Sequence, residues 1–148
     1  MPRDGLITRV MIRGAVDMNH EERVMNSNHA AEPGALKALT AHTFTHEVEH
    51  ARELVLVDFY ADWCPPCHVV RPILEGLASE YAGSVTIVKV DVDAEPALMA
   101  RFQIRSLPTV LYFKDGAVVD TVVGAHPRRV FEGKIREQMG REELDAAL

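Results

Sequence analysis

The sequence predicts an α/β fold built on a central mixed β-sheet with helices on both faces. Two observations carry that prediction. Apolar runs of strand length alternate with segments whose apolar residues recur at helical spacing. The alternation then gives way to two strands joined by the tight turn Lys114-Asp115-Gly116, where Asp-Gly tolerates positive φ and sends the last strand back antiparallel. In chain order the elements read β-α-β-α-β-α-β-β-α.

Residues 36–39 read as a short edge strand. Thr43 offers an N-cap to a short helix over 43–51, with Phe44 and Val48 on one face. Residues 54–60 are a near-continuous apolar run, typical of a strand buried on both faces. A turn, Ala61-Asp62-Trp63, leads to Cys64-Pro65-Pro66-Cys67. Val69, Val70, Ile73, Leu74, Leu77 and Tyr81 then recur at helical spacing, until Ala82-Gly83 ends the helix. Pro72 sits inside it and kinks it, because proline lacks an N–H and its ring meets the preceding turn. Residues 85–92 form a Val- and Ile-rich strand, and 95–102 a short helix. Ser106-Leu107-Pro108 opens the strand 109–113, and 117–123 returns beside it up to Gly124. The last helix covers 127–139, with Val130, Phe131 and Ile135 inward. Gly133 lies mid-helix, at a cost of about 1 kcal/mol relative to Ala.

Composition narrows the function. The chain has 148 residues, 47% hydrophobic and 26% charged, enough for one well-formed core. With 16 basic and 22 acidic residues its net charge is −6, so a nucleic-acid partner is not expected. No run reaches the roughly 18 apolar residues of a membrane span. Two cysteines exclude a disulfide-scaffolded mini-protein and a self-contained four-cysteine zinc site. Residues 1–34 differ in character: Arg3, Arg9 and Arg13 interrupt the apolar residues, Asp4 and Asp17 intrude, and no secretory signal is legible. They read as an extension that is mobile or begins at a start codon assigned too early, with Met18 and Met25 as other starts and Glu32-Pro33-Gly34 as the boundary. The folded domain is expected over 35–148.

The chemistry lies in Cys64-x-x-Cys67, between a buried strand and a helix. A helix N-terminus presents unpaired N–H groups and about half a positive charge. A cysteine placed there has its thiolate stabilised and becomes a nucleophile near neutral pH. Cys64 takes that place, and Cys67 follows one turn later, so that its sulfur can reach back. Pro65 and Pro66 stiffen the link, and proline suits a first helical turn. Two other readings stand beside this one. A structural disulfide closing so short a loop contributes only roughly 2 kcal/mol, and a short, accessible bridge is a poor clamp. A zinc half-site needs ligands from elsewhere. His42, His46 and His50 share a helical face, but Phe44 and Val48 claim the inner one, so the histidines are expected in solvent and no metal site is expected.

Val57-Asp58-Phe59-Tyr60-Ala61-Asp62-Trp63-Cys64-Pro65-Pro66-Cys67 closely resembles the active-site segment of the thioredoxin family. Pro72 resembles the family's kink proline, Ser106-Leu107-Pro108-Thr109 its cis-proline loop, and Val122-Val123-Gly124-Ala125 the glycine stretch beside the site. The resemblance runs from about 36 to about 139 and rests on several separated motifs in the right order. Departures are Pro-Pro where the family usually has Gly-Pro, as in tryparedoxin-like and nucleoredoxin-like relatives, Tyr60 where Trp is common, and His68 where Lys is common.

The resemblance implies a thioredoxin fold and a thiol–disulfide oxidoreductase that reduces protein disulfides through Cys64 and Cys67, without a bound cofactor. It implies that Asp58, whose burial raises its pKa, moves the proton of Cys67, and that Lys89 is its partner. It places Trp63, Pro65, Pro66, Leu107, cis Pro108 and Gly124 on the substrate surface, where the backbone at Leu107 pairs with an extended segment. His68 either modulates the thiols or is exposed without a role. Disulfide-containing proteins and an NADPH-dependent thioredoxin reductase are the partners implied. A cytoplasmic monomer serving electron transport and cell redox homeostasis is expected, since a lone thiol pair in a reducing compartment is catalytic rather than structural. Two alternatives remain: a more oxidising isomerase or oxidase, and a non-catalytic thioredoxin-like binding module.

Overall fold

The structure, a computed structural model, describes residues 34–147. The extension read over 1–34 lies outside them except for Gly34, as do Met18 and Met25. Strand β1 is Lys37–Ala38, only two residues long, flanked by the buried Leu36 and Leu39. Helix α1 is Ala41–Phe44 and continues as a wider π-helical turn, Thr45–Glu49. Then come β2 Leu54–Tyr60, α2 Pro65–Glu80, β3 Val85–Asp91, α3 Pro96–Arg101, β4 Thr109–Lys114, β5 Ala117–Val123 and α4 Arg128–Ala147.

The sheet order is β1-β3-β2-β4-β5. β1 and β2 both run parallel to β3, and β4 runs antiparallel to β2 and β5, so the sheet is mixed as predicted. β2 is central, and all seven of its residues are buried. Alternation along it divides the core. Val55, Val57 and Phe59 face a cluster with Phe44, Val48, Leu98 and Phe113, which seats α1 and α3. Leu54 and Leu56 face Val70, Leu74, Leu77, Phe131 and Ile135, which seats α2 and α4. Burying a side chain of this size stabilises by about 1.5–3 kcal/mol. On the first face Phe102 packs at 5.3 Å from Phe44 and 5.5 Å from Phe113, the second pair edge to face. On the second, Tyr112 Oη donates to the Phe131 carbonyl at 3.0 Å, satisfying a hydroxyl that burial would otherwise penalise.

Two local readings need correction. The first helix starts earlier than 43, because Thr40 and not Thr43 is its N-cap. The Thr43 amide donates to Thr40 Oγ1 at 3.3 Å and the Thr40 amide to Thr43 Oγ1 at 3.0 Å, a reciprocal capping box that puts Thr43 inside the first turn. That helix also widens, the His50 amide reaching the Thr45 carbonyl at 3.0 Å. The final helix runs past 139 to Ala147, through Gly140, and Arg141 pairs with Glu137 one turn back at 3.0 Å. In the β4–β5 turn Asp115 and Gly116 both have positive φ, 53° and 82°, as the Asp-Gly pair foretells.

Candidate active site

Central strand β2 ends at Tyr60, and a short turn carries the chain to Cys64. Cys64 is the N-cap of α2, with extended backbone, and Pro65 and Pro66 fill the first helical turn. The missing proline N–H groups cost nothing there, since a helix's first-turn amides have no intrahelical carbonyl to reach. The first turn then places the Cys67 amide against Cys64, donating to its Sγ at 3.2 Å and to its carbonyl at 3.1 Å. The sulfur thus occupies the position of a capping side-chain oxygen. Charge on it is stabilised by an N–H donor and by the positive end of the helix dipole. Cys64 and Cys67 are joined as a disulfide with Cα atoms 5.3 Å apart.

The bridge is less accessible than its short span suggests. Cys64 is 3% exposed and Cys67 1%, because capping turns Cys64 Sγ onto the helix amide. The residues around the pair are the exposed ones: Trp63 at 68%, with Pro65, Pro66, His68 and Val69 also exposed. Trp63 is held by a hydrogen bond from its Nε1 to Asp93 Oδ2 at 2.8 Å, and the Asp93 amide in turn donates to Asp91 Oδ1 at 2.9 Å. His68 Nε2 donates to the Asp62 carbonyl at 2.7 Å, which ties the first turn of α2 to the preceding loop.

The Leu107–Pro108 peptide is cis. Leu107 packs, half-buried, against the cluster that contains both cysteines. Pro108 is buried, and its carbonyl accepts from the Gly124 amide at 2.8 Å, which couples the start of β4 to the end of β5. Gly124 has φ +95°, a conformation that glycine adopts without steric cost. Thr109 Oγ1 closes the loop by donating to the Ser106 carbonyl at 2.6 Å.

Asp58 is fully buried on β2. It lies on the same face as Leu54 and Leu56, the face that α2 covers. Neither of its oxygens has a hydrogen-bond partner among the described residues. Burial pushes its carboxyl up to about 7, and the cations Arg71 and Lys89 pull in the opposite direction. Lys89 stands opposite it in the β2–β3 register. The nearer cation is one that sequence reasoning missed: Arg71 Nε lies 3.9 Å from Asp58 Oδ2. A signal for it was present, because Arg71 falls on the buried stripe of α2 between Cys67 and Leu74, where an arginine is out of place. Asp93, the acceptor for Trp63, was also missed, and its separation of 30 residues leaves no local signal.

His42, His46 and His50 are exposed, as expected from the inward face of Phe44 and Val48. Among the described residues no cluster of histidine, cysteine and carboxylate side chains has metal-binding proximity. No described helix is long and apolar enough to cross a membrane. A surface depression of about 830 Å³ is lined by Glu49, His50, Arg52, Lys114 and Arg141 among others, and shares no residue with the cysteine site. At the cysteine site exposed side chains, Trp63 and Val69 among them, flank a buried disulfide.

Comparison with known proteins gives consistent matches. The family model described as Thioredoxin matches residues 35–137. Thioredoxin 1 of Synechococcus elongatus is 47% identical over 91 residues, which covers 62% of this chain and 85% of that protein. The thioredoxin of Porphyra purpurea is 40% identical over 103 residues, covering 70% of this chain and 96% of its own. That of Chlorobaculum thiosulfatiphilum is 43% identical over 101 residues, covering 68% and 94%.

Proposed function

The chain belongs to the thioredoxin family, and from that premise we propose how its residues divide the reduction of protein disulfides. It is a thiol–disulfide oxidoreductase, and neither the binding-module nor the isomerase alternative is favoured. The observation that carries the assignment of roles is the position of Cys64 as N-cap of α2, with its sulfur accepting the Cys67 amide.

In the reduced protein Cys64 is the thiolate. It attacks one sulfur of a partner's disulfide and expels the other as thiolate, forming a mixed disulfide. Cys67, deprotonated by Asp58, then attacks Cys64 Sγ. The partner leaves with both sulfurs reduced, and the two electrons it gained leave Cys64–Cys67 oxidised. Lys89 opposes the neutralisation of Asp58 that burial favours. A carboxyl held near neutrality accepts a proton in the resolving step and releases it afterwards.

Trp63, Pro65 and Pro66 form one side of the docking surface, and Leu107 and Gly124, over the buried Pro108, the other. Backbone pairing at Leu107 suits substrates of varied sequence. An NADPH-dependent thioredoxin reductase returns the electrons, and the disulfide itself is the redox group, with no bound cofactor or metal. The chain acts as a cytoplasmic monomer in electron transport and cell redox homeostasis. The domain spans 35–148, preceded by an extension over 1–34.

The test is trapping. Cys67→Ser is expected to accumulate covalent complexes with disulfide-containing proteins through Cys64, whereas Cys64→Ser accumulates none, and each variant loses insulin reductase turnover by several orders of magnitude. Turnover retained in both variants, or trapping by Cys64→Ser alone, contradicts the assignment.

A further inference from the structure

Arg71 has no role in the mechanism derived above, yet its surroundings are specific. It lies four residues after Cys67 on α2, and this spacing puts both on one helical stripe. Its Nε is 3.9 Å from Asp58 Oδ2, too far for a hydrogen bond but close enough for a strong charge interaction inside a protein. That Nε is buried and has no hydrogen-bond partner among the described residues. Its guanidinium carbon sits 4.4 Å from the centroid of the Tyr60 ring, within cation–π range. Tyr60 is itself buried at the end of β2, two residues beyond Asp58. A long, flexible cation is therefore fixed on an aromatic plate next to a buried carboxylate that has no hydrogen-bond partner among the described residues.

We propose that Arg71 is a positioning residue for the resolving step: held over the Tyr60 ring, its guanidinium sets the charge of Asp58 and so the pH at which Cys67 can be deprotonated. The proposal rests on the reading of Asp58 as the proton acceptor. The other groups facing this carboxylate leave Arg71 the leading part. β3 contributes Lys89, directly opposite in register, whose Nζ is 5.7 Å from the same Tyr60 ring. β4 contributes Val110 at the paired position, and α4 contributes Phe131 and Ile135 to this face, none of them ionisable. Asp62 and Asp91 act on Tyr60 with Asp58, but they are not among the groups that shift Asp58. Of the two cations opposing desolvation at Asp58, Arg71 has the larger effect.

A neutral residue at 71 leaves Lys89 alone against the desolvation. The carboxyl then stays protonated to higher pH, and the resolving step needs a more alkaline solution. The hydrogen-bond fork of arginine is not used towards Asp58, so lysine can substitute, with positive charge as the only requirement.

The experiment titrates the Asp58 carboxyl by carbon-13 NMR in the reduced full-length chain, for the parent, R71M, R71Q and R71K. It measures in parallel the pH dependence of mixed-disulfide resolution, with Asp58→Asn as reference. Expected are midpoints raised by about one pH unit in R71M and R71Q. R71K should fall between these and the parent, and the resolution profile should move with the titration while circular dichroism stays unchanged. Midpoints in folded R71M and R71Q equal to the parent's overturn the role of Arg71 and leave that of Asp58 standing. A shifted titration combined with an unaltered resolution profile in Asp58→Asn overturns the reading of Asp58 as proton acceptor, and the resolving role of Arg71 with it.

Discussion

Asp58 shows how one residue ties stability to chemistry. A carboxylate in a core strand with no hydrogen-bond partner among the described residues is costly in its charged form, which is why burial carries its pKa to about 7. The folded chain therefore holds a proton between the ordinary carboxylate range and about pH 7 that the unfolded chain has already released. Stability from this group is full below about pH 4 and is lost as pH rises to about 7, amounting to about 4 kcal/mol in total. Asp58→Asn removes the titration. Its stability relative to the parent should rise by a few kcal/mol between pH 4 and pH 8 and level off above, as measured by urea unfolding of the oxidised chain. Parallel stability profiles for the two proteins contradict a raised native pKa. The same residue was legible in the sequence because a lone carboxylate interrupts an apolar run. The cation beside it was passed over, because a helix pattern is read for its apolar positions and tolerates one charged intruder.

At the scale of elements, local chemistry decided most boundaries and tertiary contacts decided the rest. The Asp115-Gly116 turn, the Pro65-Pro66 helix start and the strands β2 to β5 follow from turn geometry, proline's missing N–H and apolar runs, all visible in sequence. The first helix was misread because Thr40 and Thr43 cap each other reciprocally, and a spacing of three residues marks either as the cap. The two-residue β1 is short because Leu36 and Leu39 are already turned into the core on either side of it. Gly116 gives a test at this scale. It has φ +82°, and a Cβ there would lie 3.0 Å from the Glu49 carbonyl oxygen, at the end of the π-helical turn. Gly116→Ala should lower stability by about 1–2 kcal/mol, read as a reduced urea midpoint at unchanged slope, with reductase turnover preserved because the turn is remote from the cysteines. An unchanged midpoint shows that the turn relaxes freely.

For the whole molecule, the sheet order sets the residues proposed for the site on adjacent strands. β2 is central and supplies Asp58, Tyr60 and the turn to Cys64, and β3 beside it supplies Lys89 and leads to Asp93. β4 on the other flank begins at cis Pro108, and β5 delivers Gly124 to it. Residues from Asp58 to Gly124, 66 positions apart, are thus tied to β2 and the strands beside it, a juxtaposition that periodicity alone could not give. The proposed mechanism requires Cys64 to be the ionised sulfur of the reduced pair. The most direct measurement is the rate of Cys64 alkylation by iodoacetamide against pH in the fully reduced chain, with Cys67→Ser to isolate the site. The predicted midpoint lies at least one pH unit below the roughly 8.5 of a free cysteine. A midpoint at or above 8.5 contradicts the account.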